Sequence, residues 1–446
     1  MSSLIETRPL QNGLRVAVIP VEGTSFVELV LAVRVGSRYE PIAQAGISHL
    51  LEHLIFRGSQ KFPSSYLLNR ALETLGDGLE GGTAREYSMF AMSVTPEHLS
   101  EVLVILADLF GNPLLQELET EKGIVMEEML EELDENGEEC DSFNISRKLL
   151  FGEHPMARPV LGREKSLAKI KRPDLLAHFK KFYRPDQMVL VASGKVDSGF
   201  FAEAKKSFGK LASTGGGAKA EFEEDRVRPG KSGVLSKPGP AIHYLDKPSS
   251  QIEVTLSFAT KGERSASYIP ALALQRVLDD GLASRLQRNL CERKGLLYDI
   301  DVCLEGYSDL GVMDITFRMA KSKAIEAMRE VFHELEQLKT VPLDSEELYR
   351  IQSRMHRDVI GLFESPRAIG QRAGESLLLD LKTPLSLVQW TDAIRALDAD
   401  ILMRVAADLF VPERMAVILE GKLSKKDQAE IDALVRGSEI RKRTGS

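Results

Sequence analysis

The 446-residue chain is too long for one ordinary hydrophobic core, so its length predicts two or more domains. It has a globular composition, with 43% hydrophobic and 28% charged residues, and its net charge of −8 without a basic, aromatic-rich cluster argues against nucleic acid as a partner. The three widely spaced cysteines argue against a disulfide framework and favour a reducing compartment, and no apolar run is long enough for a membrane span.

The N-terminal region predicts a β-sheet and shows no signal peptide. Because a basic segment and an apolar core are both missing there, we expect a cytoplasmic protein, with the periplasm or an organelle as alternatives. The turn dipeptide Asn12-Gly13 predicts a hairpin between strands at 7–10 and 14–19. A further apolar strand, predicted at 26–35, leads into a helix.

That helix, predicted at 46–56, carries the residues on which the functional interpretation depends. Its apolar residues recur at steps of three and four, and it contains no proline. His49 and His53 stand four residues apart and therefore share one face, where two imidazoles can bind one metal ion. Glu52 places a carboxylate beside them that can take a proton from water, and the order His-x-x-Glu-His is the inverzincin signature. A chance pair of histidines is the alternative interpretation.

A catalytic zinc site needs a third protein ligand. The best candidate region is an acidic helix predicted at 121–133, which follows a glycine-rich stretch at 76–83 and a strand at 87–94. A solvated charged face is the usual meaning of such an acidic run and is the alternative.

The histidine helix and the acidic helix together resemble those of the pitrilysin/insulysin and mitochondrial-processing-peptidase family of zinc endopeptidases. The resemblance implies that His49, His53 and Glu128 bind Zn²⁺, since 74 residues separate His53 from Glu128, as in the family. It also implies a functional role for Glu121, seven residues earlier, and helix geometry puts Glu121 and Glu128 on the same side. Glu52 would be the general base.

The resemblance covers most of the chain, with one departure. Where the family usually has Asn-Ala-x-Thr on the edge strand that pairs with substrate, this chain has Glu80-Gly81-Gly82-Thr83. Backbone pairing tolerates such changes, but we expect the glycines to loosen the strand and to alter side-chain preference. The other matching segments are 10–16, 51–58, 154–155, 159–162 and 182–185.

The second half of the chain repeats the first. Four residues near the end of the first half recur 227 positions later, and a pair in an earlier strand recurs at the same offset: Pro185, Met188, Gly194 and Lys195 as Pro412, Met415, Gly421 and Lys422, and Phe90 and Met92 as Phe317 and Met319. The sequence predicts an α+β fold of two duplicated α/β-sandwich domains, each a sheet covered by helices. We expect a zinc-binding domain at 1–212, a linker at 213–233 and a domain without zinc at 234–446. The resemblance implies that this is half of a clam-shell peptidase.

The second domain can still contribute to catalysis. Ser284-Arg285-Leu286 and the stretch ending at Tyr298 resemble the arginine and tyrosine motif of the family's non-zinc half, whose side chains reach a zinc site in another half. A guanidinium and a phenol suit a developing oxyanion. The alternative is a surface cation and a half-buried strand residue.

Taken together, these features predict a zinc endopeptidase that hydrolyses unfolded peptides or presequence-like segments in an enclosed chamber. Because the chain carries both motifs, the resemblance favours a homodimer, and a heterodimer with a related subunit is the alternative. A non-catalytic assembly subunit of the same fold is the competing function; the intact set of His49, Glu52, His53 and Glu128 argues against it.

Overall fold

A computed structural model describes residues 5–212, 239–383 and 385–437. The predicted linker at 213–233 lies outside the described residues. Two compact units, each built around one β-sheet, make up the described part of the chain.

The first sheet has six strands in the order β1-β2-β6-β3-β5-β4. Its strands are β1 Glu6–Pro9, β2 Arg15–Pro20, β3 Val27–Val33, β4 Glu80–Thr83, β5 Ser88–Val94 and β6 Met188–Gly194. Neighbours are antiparallel except for the parallel pair β2 and β6. The predicted hairpin and the apolar strand after it are therefore confirmed, and β3 and β6 are buried along their whole length. Continuous apolar runs are typical of strands covered on both faces.

Helices of the first unit pack on the two faces of this sheet. They are α1 Ile47–Ile55, α2 Ser65–Leu75, α3 Leu99–Gly111, α4 Leu118–Met129, α6 Glu164–Leu167, α7 Arg172–Phe182, α8 Phe200–Phe208 and α12 Pro366–Leu378. Alternate residues of β3 separate the faces. Leu29 and Leu31 join the core formed with α1 and α3, whereas Val30 faces Gly370 and Gly374 of α12. A Cβ on Gly370 would lie 2.5 Å from Ser193 Oγ, so the missing side chain lets α12 approach the sheet closely.

The second sheet has five strands in the order β7-β11-β8-β10-β9. Its strands are β7 Ala241–Leu245, β8 Gln251–Lys261, β9 Asp299–Gly306, β10 Leu310–Ala320 and β11 Met415–Glu420. Again one pair, β7 with β11, is parallel and the others are antiparallel. This order matches that of β2 to β4 in the first sheet, which confirms the predicted duplication. The remaining helices are α5 Ser142–Phe151, α9 Tyr268–Leu278, α10 Ala324–Thr340, α11 Ser345–Glu364, α13 Leu387–Arg395, α14 Ala399–Leu409 and α15 Lys425–Val435.

The two units exchange segments of the chain. The first unit includes residues up to Glu138, resumes at Arg158 and takes in Arg357–Trp390, which contains α12. The second unit takes in Glu139–Ala157, which contains α5. These two segments pack with the unit on the other side of the predicted domain boundaries at 212 and 234. The linker at 213–233 stays a prediction. Among the residues that the structure describes, no helix has both the length and the apolar character needed to cross a lipid bilayer.

Candidate metal centre

The two histidines lie on the side of helix α1 that faces away from the core, because the opposite side is apolar. The side chains of His49 and His53 are 13% and 19% exposed, and their ring centroids lie 4.6 Å apart. One turn of an α-helix separates them, as the spacing predicts. The apolar side packs fully buried into the core of the first unit through Ile47, Leu50, Leu51, Leu54 and Ile55.

A buried carboxylate fixes the beginning of α1. Glu40 accepts hydrogen bonds from the backbone N–H groups of Gly46 and Ser48, each at 2.8 Å. Such a carboxylate satisfies donors that have no partner within the helix and complements the helix dipole. Gly46 is required here because its φ is +93° and a Cβ would lie 2.5 Å from the carbonyl oxygen of Leu161. Glu40 could not be predicted as the cap of α1, because a carboxylate six residues before Gly46 leaves no periodic signal in the sequence.

The structure brings His49, His53 and Glu128 together. One ligand atom from each lies within 4.8 Å of the others. The Nε2 atoms of both histidines are each 3.7 Å from an oxygen of Glu128, which projects from α4. Within the described residues this is the one group of three or more potential metal ligands.

The neighbouring carboxylate of Glu121 orients His53. Glu121 is buried, and its Oε2 lies 2.9 Å from His53 Nδ1. Because the Glu121 carboxylate can only accept a hydrogen bond, His53 carries its proton on Nδ1. The lone pair of His53 Nε2 then faces Glu128. Arg57, one turn after His53, binds both Glu121 and Glu117. The sequence analysis did not assign Arg57 a role, although its four-residue step from His53 was a usable signal.

These residues fit a zinc ion. The ligand atoms of tetrahedral zinc lie about 3.4 Å apart, close to the separations observed, and two imidazoles with one carboxylate are a catalytic zinc donor set. Burial, and secondarily the charge of His53, lowers the pKa of His49 to about 4, so that imidazole is neutral and able to bind a metal. His49 Nδ1 is buried and has no hydrogen-bond partner among the described residues, in contrast to His53.

Glu52 lies between the metal ligands and the edge strand β4. Its side chain is buried, and its Oε2 accepts a hydrogen bond of 2.8 Å from the Thr83 hydroxyl. Burial raises the pKa of Glu52, and the carboxylate of Glu128 adds to this, while Thr83 and His53 act in the opposite direction. A carboxylate with a raised pKa is a stronger proton acceptor at neutral pH.

The departure in the edge strand lies directly against α1. A Cβ on Gly81 would lie 2.7 Å from Cε2 of Phe56 and 3.0 Å from Oε1 of Glu52. The missing side chain therefore lets β4 lie directly against α1. Gly81 lies close to Glu52, whereas the sequence predicts only a looser strand.

A cavity of about 320 Å³ adjoins the metal ligands. Its lining combines the polar groups of the site with apolar side chains, so it offers room for part of a ligand beside Glu52. The lining residues are Glu52, His53, Phe56, Arg57, Ser65, Asn69, Glu121 and Ile124.

Arg285 and Tyr298 belong to the second unit. Nε and Nη2 of Arg285 donate hydrogen bonds to the carboxylate of Glu347, at 2.9 and 2.7 Å. The side chain of Arg285 is 13% exposed. Tyr298 is 79% exposed at the start of β9. The burial of both side chains differs from that expected for the non-catalytic alternative, since Arg285 is largely buried and Tyr298 is exposed, but a catalytic role for either residue stays a prediction.

Two family models match this chain. Insulinase (Peptidase family M16) matches residues 15–163, which carry the three candidate metal ligands, and Peptidase M16 inactive domain matches residues 169–355. The chain belongs to the M16 peptidase family. In this M16 chain the two matches follow the order predicted from the duplication, with the metal centre in the first.

Similar curated proteins are named as proteases. The uncharacterized zinc protease YmxG of Bacillus subtilis is 25% identical over 415 residues, covering 92% of this M16 chain and 97% of that protein. The uncharacterized zinc protease Rv2782c of Mycobacterium tuberculosis is 28% identical over 324 residues, covering 72% of this chain and 71% of that protein.

Solved structures share the fold of this M16 chain. A protease from Helicobacter pylori superposes with a TM-score of 0.83 at 21% identity, covering 95% of this chain and 100% of that one. The periplasmic protease PqqL from Escherichia coli superposes with a TM-score of 0.76 at 16% identity, covering 97% of this chain but 50% of that one. This chain therefore matches about half of PqqL.

Proposed function

We propose that this protein is a zinc-dependent endopeptidase that hydrolyses unfolded peptides or presequence-like segments. The observation that supports this most is the convergence of His49, His53 and Glu128, with Glu52 buried beside them. The relatives named as zinc proteases support the choice of metal.

Each residue of the centre has a distinct part in this proposal. His49, His53 and Glu128 would hold zinc, which when bound supplies a Lewis acid that polarises a peptide carbonyl and makes water more acidic. Glu52 would accept a proton from the attacking water and pass it to the leaving amine. The Thr83 hydroxyl, which donates to Glu52, would hold that carboxylate in place.

Glu121 would position His53 without touching substrate. Its carboxylate faces the ring nitrogen of His53 that is turned away from Glu128, and Arg57 holds the same carboxylate from the other side. Such supporting partners fix the tautomer and orientation of a ligand.

Strand β4 would bind the substrate backbone. It lies at the end of the first sheet, and in the described part of the chain it pairs with β5 alone. An extended peptide can add to such an edge through main-chain hydrogen bonds, without a sequence requirement. An enclosed chamber that admits unfolded peptides is part of the same proposal and follows from the family resemblance.

A second copy of this chain would complete the enzyme. This chain matches about half of PqqL, which suggests that two such chains correspond to one longer enzyme. In the homodimer, the partner would supply its own copies of Arg285 and Tyr298 to the oxyanion. A heterodimer with a related subunit is the alternative. Arg285 would have to release Glu347, which now holds its guanidinium.

A non-catalytic or partner-dependent assembly subunit is the competing function. The name of the second family model, an inactive domain, describes residues 169–355 and not the metal centre. The intact set of ligands and Glu52 at 15–163 supports catalysis instead.

The test compares hydrolysis of a quenched mixture of unstructured peptides by the zinc-loaded wild type and by Glu52→Gln. We expect both proteins to hold equal zinc and only the wild type to cleave, with a loss of about 10²–10⁴-fold for removal of a general base. Zinc in both proteins with cleavage by neither would favour the assembly subunit. A wild type that binds no zinc would reject the metal centre.

A further inference from the structure

The edge strand β4 has two chemically different faces. Thr83 donates its hydroxyl to Glu52, and a Cβ on Gly81 would point at Phe56 and Glu52, so these two positions face α1. Glu80 faces the other way, because its carboxylate binds Arg367 of α12 at 2.5 Å. Gly82 shares the face of Glu80, since side chains alternate along a strand.

A cavity of about 550 Å³ opens on the face that carries Glu80 and Gly82. It lies between β4, β5 and α12, all within the first unit. Apolar side chains from two elements line it, namely Met89 and Ala91 of β5 and Ala368 of α12. A Cβ on Gly82 would meet nothing within 4 Å, so the missing side chain leaves this cavity open towards the strand edge.

The charged groups around the cavity are engaged with one another. Arg367, which holds Glu80, also lies 3.3 Å from the buried carboxylate of Glu28. On the next turn of α12, Arg372 binds Glu375 at 3.0 Å. A cationic ligand would have to compete with these arginines, and an anionic ligand would meet the carboxylates of Glu80 and Glu375. The cavity therefore favours an uncharged group.

We infer that this cavity is a subsite for a bulky apolar side chain, aromatic or branched aliphatic, of an extended peptide that pairs with β4. The inference rests on the proposed function in that the same edge strand binds the substrate backbone. A peptide added to an edge strand points alternate side chains to opposite faces. One set faces α1 and Glu52, and the other set faces Gly82 and the cavity. The chain thus selects its substrate on the face away from the metal ligands.

The first experiment measures binding without turnover. Glu52→Gln protein is titrated with fluorescent host peptides of Ala, Ser and Thr in which a single Phe is moved from position to position. We expect Phe to raise affinity above that of the Phe-free host by at least about tenfold at the positions whose side chain can reach the cavity, since burying a Phe side chain contributes that much. Arg and Glu scans of the same host should show no comparable rise. The absence of any gain for Phe, a preference for Arg or Glu, or no detectable binding of any peptide would each overturn the subsite.

The second experiment fills the cavity. Gly82→Phe, in the Glu52→Gln protein, should remove the gain for Phe, because the added ring fills the space that the peptide side chain would occupy. Ala368→Phe fills the cavity from the opposite wall and should act in the same way. Gly361→Phe is the matched control, since Gly361 is also exposed and its Cβ would meet nothing within 4 Å. A gain for Phe that survives both substitutions would overturn the subsite.

Hydrolysis separates this inference from the proposed function. If wild-type protein cleaves none of the peptides but the Glu52→Gln protein shows the gain in affinity for Phe, the endopeptidase proposal fails and the subsite stands. If cleavage occurs without that gain, the subsite fails and the endopeptidase proposal stands.

Discussion

Five strands of the first sheet, without β1, have the same order as the five strands of the second sheet. Each sheet is covered by a helix from the other half of the sequence. Helix α12 packs on the first sheet and α5 on the second. In both units an arginine of that helix binds a carboxylate on a strand: Arg367 with Glu28 of β3, and Arg147 with Asp314 of β10. The same architectural solution is therefore used twice.

The surroundings of these two arginines differ. Arg147 is 2% exposed, and its guanidinium binds both oxygens of Asp314 at 2.8 and 2.7 Å, with the Ser257 hydroxyl donating to the same carboxylate. Arg367 is 39% exposed and shares its charge between Glu28 and the edge strand. The ion pair of Arg147 with Asp314 in the second unit is therefore buried, which we call the closed ion pair. The ion pair of Arg367 with Glu28 in the first unit is partly exposed beside the edge strand β4, and we call it the open ion pair. Duplication preserved the architecture and left the chemistry to individual side chains.

The helices that follow β3 and β8 show the same contrast. Helix α1 after β3 carries His49, Glu52 and His53, whereas α9 after β8 carries no histidine and no carboxylate. Fold alone does not determine activity, which depends on the residues placed on it.

The largest expected effect tests whether the metal centre is confined to the first unit. The wild type should bind one zinc ion per chain, and His49→Ala should lose that zinc together with peptide hydrolysis, because a ligand is removed. His243→Ala, in the second unit, is the control and should keep both. Elemental analysis after dialysis gives the stoichiometry. Two zinc ions per wild-type chain, or one in His49→Ala, would contradict the contrast between the units.

The next largest effect is expected from disrupting the closed ion pair of the second unit. Arg147→Ala leaves the buried carboxylate of Asp314 without its partner and should lower the free energy of unfolding by about 3–5 kcal/mol. Replacing both residues, as Arg147→Met with Asp314→Leu, should restore most of that loss. Urea unfolding measures both. If Arg147→Ala lowers the free energy of unfolding by only about 1 kcal/mol or less, as expected for an exposed ion pair, the contrast between Arg147 and Arg367 would be contradicted.

Removal of the carboxylate beside His53 should weaken metal binding without abolishing it. Glu121→Gln should lower zinc affinity by about 10–100-fold, because the amide oxygen that replaces the carboxylate is a weaker, uncharged acceptor for His53. Glu127→Gln, an exposed carboxylate on the same helix, is the matched control and should leave affinity unchanged. Competition with a chromophoric chelator measures the affinity. Equal affinities for the two variants would show that Glu121 does not position His53.

The smallest effect concerns the pH dependence of the open ion pair. Burial raises the pKa of Glu28 from its ordinary 4.5 to about 7, with Asp77 and Glu80 adding to the rise and Arg367 opposing it. Between these values the folded protein holds a proton that the unfolded chain releases, so the stability due to this group falls as pH increases and is lowest above 7. Glu28→Gln should therefore match the zinc-free wild type near pH 4.5 and become relatively more stable towards pH 7.

Urea midpoints of the two zinc-free proteins at several pH values check this expectation. The difference between the midpoints is the quantity to follow, because other groups contribute equally to both proteins. A difference that stays constant from pH 4.5 to 7 would mean that Glu28 titrates as it does in the unfolded chain.

Much of the fold was predictable because its signals are local. The four-residue step from His49 to His53, the seven-residue step from Glu121 to Glu128 and the 227-residue repeat can all be read without coordinates. Helical periodicity decides which residues share a face, and the structure places both histidines with Glu128 accordingly. The exposed position of Glu127 follows from the same geometry.

Other features depend on which faces meet, and that is decided by the packing of many elements together. The cap of α1 by Glu40, the bond from Thr83 to Glu52 and the contact of Arg367 with Glu80 join residues of different elements, the last pair 287 positions apart. The exchange of α5 and α12 between the units likewise leaves no periodic trace in the sequence. The sequence by itself determined which side chains are candidate metal ligands and that the sheet is duplicated, because periodicity is a property of each segment. Only the tertiary structure decided the close approach of Gly81 to α1 and the cavity beside Gly82, because both depend on the distance between separately formed elements.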